Sequence, residues 1–116
     1  MNAHQALAAL RDSLSTLYPV RLAEASNRPG AVTCIIAPVR TDYDPMACAP
    51  YPFTVTAQVA VLAAATGERA LWDLIARADE VAGLIRGAGW WHTGWEPGNE
   101  DDQPTLIFTC TTPGHE

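Results

Sequence analysis

The chain has 116 residues, 48% of them hydrophobic and 17% charged, enough apolar side chain for one folded domain and too much for an intrinsically disordered chain. Seven basic residues, all arginine, stand against thirteen acidic ones for a net charge of −6, which disfavours a phosphate-neutralising stripe and therefore stable nucleic-acid binding. Three cysteines with no CxxC pair predict a reduced chain rather than a disulfide scaffold. The first residues, MNAHQALAALRDSL, have neither the basic start nor the unbroken apolar core of a secretory signal, so a soluble cytosolic protein is expected.

Leu7, Leu10, Leu14 and Leu17 recur at three- and four-residue spacing, which predicts a first helix over 3–17, with Asn2 as N-cap and Tyr18-Pro19 as its end. Val20 and Leu22 suggest a short strand, and Glu24 to Gly30 a loop with a Pro-Gly turn. Ala31 to Val39 is apolar on both faces and rich in β-branched residues, as a buried strand requires. Arg40 to Pro52 contains three prolines and no period, and is expected to be a long irregular connection.

Phe53 to Leu62 alternates, with Phe53, Val55, Ala57, Val59 and Val61 on one face and Thr54, Thr56 and Gln58 on the other, the pattern of a half-covered antiparallel strand. A second helix is expected from about Gly67 to Arg86, capped by Thr66, stopped by Gly87 and Gly89, and apolar along Leu71, Leu74, Ile75, Ala78, Val81, Ala82 and Ile85. On its outer side Arg69, Asp73 and Arg77 stand four apart and should support one another. Trp90 to Glu96 and Pro104 to Thr112 predict two strands of a hairpin around an acidic loop, Pro97 to Gln103. The element order predicts an α+β domain of two layers, with two helices packed on one face of a mainly antiparallel sheet. Its core is expected to join Phe53, Val55, Val59, Leu71, Ile75, Ile85 and Phe108.

No serine lies in a nucleophile-elbow context, no glycine-rich phosphate cradle precedes a helix, and the cysteines lack neighbouring metal ligands. Cys34 and Cys110 fall on strands and read as small core hydrophobes, whereas Cys48 falls in the irregular segment. His92 has no identifiable partner and reads as a structural or surface histidine. No catalytic residue, metal or cofactor is therefore expected.

The combination of the helix MNAHQALAALRDSL, the strand AVTCIIAPV, the approach ACAPYPFTVTAQVAVLA, the helix ALWDLIARADEVAGLI and the closing hairpin ending in PTLIFTCTT resembles the tail terminator, or tail completion, proteins of long-tailed bacteriophages, especially small ones from phages of actinobacteria. That resemblance implies an α+β subunit of a hexameric ring at the tail-neck junction of the virion, which caps the tail tube formed by the major tail protein and joins it to the head–tail connector while DNA passes through without specific binding. The surfaces expected to meet other subunits or partners are Arg40, Asp42, Tyr43, Asp44 and Tyr51 in the proline-rich segment, and Trp91, Trp95, Glu100, Asp101 and Asp102 around the hairpin. The alternatives are another neck protein, a stopper or adaptor, and a small ferredoxin-like enzyme using His92 and the tryptophans in a pocket.

Overall fold

The computed structural model describes residues 3–22, 32–43, 53–64, 67–100 and 103–112. Two helices, α1 (Ala3–Leu14) and α2 (Glu68–Gly87), accompany five strands: β1 (Val20–Leu22), β2 (Thr33–Tyr43), β3 (Phe53–Leu62), β4 (Trp91–Glu100) and β5 (Gln103–Thr111). The strands form one sheet in the order β1-β2-β3-β5-β4, antiparallel throughout except for the short parallel β1–β2 pair. This is the expected α+β architecture.

The alternation of β3 decides which face is covered. Val55, Ala57, Val59 and Val61 are buried and align across the sheet with Cys34 and Ile36 of β2 and with Leu106, Phe108 and Cys110 of β5. Against them pack Ala6, Leu10 and Leu14 of α1 and Leu74, Ala78, Val81 and Ile85 of α2, while Leu71 and Ile75 are half-buried at the margin of this core. α1 lies over β2 and β3, and α2 over β5 and β4. Three polar contacts fix the helices: Ser13 Oγ donates to the Leu84 carbonyl at 2.7 Å, Trp90 Nε1 to the Ala6 carbonyl at 3.0 Å, and the Tyr18 hydroxyl to Glu80. The expected Arg77–Asp73 pair forms on the outer side of α2 at 3.3 Å.

Several boundaries differ from the sequence expectations, each for a local reason. α1 stops at Leu14 rather than Leu17, because Ser15, Thr16 and Leu17 close a tighter turn on Arg11, Ser13 and Leu14, and Leu17 is left 56% exposed. Gly67, at φ 97°, takes the N-cap of α2 without any side-chain bond; Thr66 lies outside the described residues. At the other end Gly87 is still helical, Ala88 is the C-cap, and Gly89 at φ 86° makes the left-handed turn, sealed by the Trp90 N–H on the Ile85 carbonyl.

The largest correction concerns two segments read as loops. Arg40 to Tyr43 continue β2, paired with β3 out to Tyr43↔Phe53, after a bulge at Val39 between Pro38 and Arg40. Likewise Pro97 to Glu100 belong to β4 and Gln103 opens β5, so only Asp101 and Asp102 stand between the strands. Both misreadings come from proline and from glycine or charge in a strand. The Val55 carbonyl accepts from the Thr112 N–H and the Ala63 N–H donates to the Pro104 carbonyl, so odd-numbered β3 residues turn their backbone polar groups toward β5. Their β2 partners, Pro38 among them, consequently turn theirs outward. The same alternation carried through Leu106 turns the nitrogen of Pro97 to the free edge of β4. Each proline occupies a strand position where no ladder bond to a described residue is lost, Pro97 at the outer edge of β4 and Pro38 beyond the last described β1–β2 pair.

Candidate interaction surfaces

β2 and β3 are longer than the sheet that holds them. β5 leaves β3 at Thr56↔Thr111, and Thr112 then caps Val55 twice, its N–H donating to the Val55 carbonyl at 3.0 Å and its hydroxyl accepting from the Val55 N–H at 2.9 Å. Beyond that point Asp42–Tyr43 and Phe53–Thr54 pair only with each other among the described residues. The result is a two-stranded arm on a molecule measuring 51 × 25 × 22 Å. Its base carries Val39, 55% exposed, and an exposed ion pair between Arg40 and Asp42 at 3.1 Å.

The residues expected to form contacts are thus distributed over three places. Arg40 and Asp42 lie on the arm, where Tyr43 ends β2. Arg40, Thr56, Thr111 and Trp91 form one cross-strand row on the face away from the helices, so Trp91 shares a face with Arg40 although it sits on the opposite edge. Trp95, paired with Phe108, lies on the helix-bearing face because the bulge between His92 and Trp95 reverses the alternation there. Glu100 ends β4 at the other end of the sheet from the arm. Asp44, Tyr51, Asp101 and Asp102, and also Cys48, lie outside the described residues, as do the side chains of Tyr43, Phe53 and Glu100. Trp90, the neighbour of Trp91 in the sequence, is buried in the core.

Three exposed apolar side chains escaped the sequence reading: Leu17, placed by period inside a helix, Val39, placed at the end of a buried strand, and Trp72, 62% exposed on α2. Trp72 stands on the opposite flank of the helix from Arg77, Glu80 and Leu84, which meet α1. On the Trp72 flank Glu68 and Leu71, with Gly67, face Pro97, Gly98, Asn99 and Pro104 across an open groove of about 610 Å³. Among the described residues its lining offers one carboxylate, Glu68, and neither histidine nor cysteine.

His92 does not line that groove. It packs edge-on against Phe108, with ring centroids 5.7 Å apart, and both its ring nitrogens are closed off without a hydrogen-bond partner. Cys34 and Cys110 are free, buried thiols on the helix-bearing face, and burial pushes each up to about 12, which removes the thiolate needed for nucleophilic or metal chemistry near neutrality. Among the described residues no group of three His, Cys, Asp or Glu side chains is placed to hold a metal ion, and no helix is long and apolar enough to cross a membrane. No protein-family model matches the chain, and no curated protein matches it.

Proposed function

We propose that the chain is a structural subunit of a phage tail terminator ring, which closes the tail tube and meets the head connector at the tail-neck junction. The observation that carries this reading is the β2–β3 arm, which extends past β5 and offers backbone and side chains that the rest of the described fold does not use. An isolated two-stranded ribbon is marginal in water, and the arm gains stability by docking on another chain. The resemblance in element order supplies the identity of that chain, a neighbouring subunit or the tail tube. The α+β core supports the same role, since a ring component needs a rigid wedge from which its contacting loops and edges project.

Replacing residues 44–52 by a Gly/Ser segment of equal length tests the reading. Circular dichroism and melting are expected to show an intact domain, while the variant fails to complete tails in a terminator-deficient phage. A variant that restores infectious particles places the functional contact away from residues 44–52, and a wild-type chain that does not bind tail tubes defeats the reading.

A further inference from the structure

We infer that copies of this chain join head to tail, the flank formed by α2 and β4 of one copy docking on the flank formed by α1, β1 and the base of the β2–β3 arm of the next. The inference rests on the ring reading above and names the surfaces that would build the ring. Its starting point is the distribution of exposed apolar side chains. The five large ones among the described residues are not scattered: Trp72, Trp91 and Trp95 belong to α2 and β4, whereas Leu17 and Val39 belong to the α1–β1 turn and β2. Because the sheet runs β1-β2-β3-β5-β4 with α1 over β2–β3 and α2 over β5–β4, these two sets occupy opposite lateral sides of the molecule.

Charge divides along the same line. The flank of α2 turned away from α1 carries Glu68, Asp79 and Arg86, and β4 adds Glu96, so the tryptophan side has an excess of carboxylate. The other side presents Arg11 from α1 and Arg40 from the arm. Arg11 and Arg40 each meet one neighbouring carboxylate, Asp12 and Asp42, in exposed pairs; such pairs are weak and exchange readily for better-desolvated partners. An acidic, aromatic side and an arginine-bearing, aliphatic side on one chain are complementary to each other and not to themselves. A contact using both is heterologous, and repeats until it closes as a ring or continues as a filament.

The edges of the sheet show how the two sides meet. Pro97 on the edge strand β4, and Pro38 on β2 beyond the last described β1–β2 pair, turn nitrogens without hydrogen away from their paired neighbours, so a strand ladder added at either place is interrupted. The join is therefore made by side chains, with tryptophans as its anchors, the residue type that dominates binding energy at interfaces.

The test uses two variants, each disabling one side: Trp72→Arg on the acidic side and Val39→Glu on the arginine side, with Glu96→Arg and Leu17→Glu as second choices. All four positions are exposed, and circular dichroism checks each fold. By sedimentation velocity and native mass spectrometry the wild-type chain is expected to self-associate with a dissociation constant that rises with salt. Each variant alone is expected to associate at least tenfold more weakly. Mixed, Trp72→Arg and Val39→Glu should form a one-to-one dimer that grows no further, since the pair retains one intact interface. Assembly of the single variants at wild-type strength, or no dimer in the mixture, overturns the inference while leaving the ring reading intact. A wild-type chain that is monomeric at every concentration also overturns it. The capped dimer together with no binding to tail tubes upholds the interface and defeats the phage assignment.

Discussion

At the scale of single residues the core contains groups whose protonation is tied to folding. Burial raises the thiols of Cys34 and Cys110 from 9.0 to about 12. The folded state therefore holds its protons more tightly than the unfolded one, and the stabilisation is complete below pH 9 and lost as pH rises toward 12. Stability should fall in that window by about 1.4 kcal/mol per pH unit for each thiol. The Tyr18 hydroxyl, raised by burial and by its bond to Glu80, adds a loss of the same sign above 10. Urea titrations at several alkaline pH values check this; a Cys34→Ala, Cys110→Ala chain should show a flatter decline, and an equal slope would mean that other groups dominate. His92 presents the opposite case, a polar ring sealed without partners against Phe108. His92→Phe keeps the ring shape and removes two unsatisfied nitrogens, so it should raise stability by about 1–3 kcal/mol. An unchanged urea midpoint would show that the imidazole finds a partner in solution.

At the scale of elements, Gly98 illustrates why β4 was hard to read. It pairs with Thr105, and a Cβ built there would stand 2.6 Å from Thr105 Oγ1 and 3.2 Å from Ile107. Gly98→Ala should cost about 1–3 kcal/mol through overpacking, measured as a lower melting temperature; an unaffected hairpin would mean that Thr105 rotates away freely. The strand pattern of Pro97-Gly98-Asn99 is invisible to periodicity because each residue is there for a neighbour's sake: Pro97 faces an open edge, Gly98 makes room for Thr105, and Asn99 lies opposite Pro104. Arg40 to Tyr43 was hidden similarly, since the bulge at Val39 breaks the alternation that begins at Thr33. By contrast α2, β3 and the β4–β5 pairing were legible, because a helix stripe and a two-residue alternation are local signals that burial on one face enforces. Of the expected contact residues, Arg40 and Asp42 were chosen for lying in a loop and turn out to belong to a projecting strand pair, so their exposure was legible and its structural cause was not. Trp72 had a signal that went unused: it lies off the apolar stripe of Leu71, Leu74, Ile75 and Ala78, so the helix period already turned it away from the core.

For the whole molecule, the decisive feature is that its main core is assembled from both ends of the chain. Ala6, Leu10 and Leu14 come from the first helix and Leu106, Phe108 and Cys110 from the last strand, and the two meet over β3 and α2. Trp90, between α2 and β4, ties the first helix to this core: its ring is buried and its Nε1 reaches the Ala6 carbonyl at 3.0 Å. No helix can leave without opening this cluster, which predicts a single cooperative transition, as small domains usually show. Trp72 and Trp91 are already 62% and 60% exposed, so they contribute little to a fluorescence change on unfolding. The red shift should come chiefly from Trp90, with a smaller share from Trp95 at 37% exposure, and its midpoint should coincide with that of far-ultraviolet circular dichroism. Trp90→Phe should remove most of the shift and, by leaving the Ala6 carbonyl without its buried donor, lower stability by about 1–3 kcal/mol. Two separated midpoints in the wild-type chain would instead mean that α1 detaches before the sheet melts, and that the amino-terminal helix is a docked element rather than part of the folding unit.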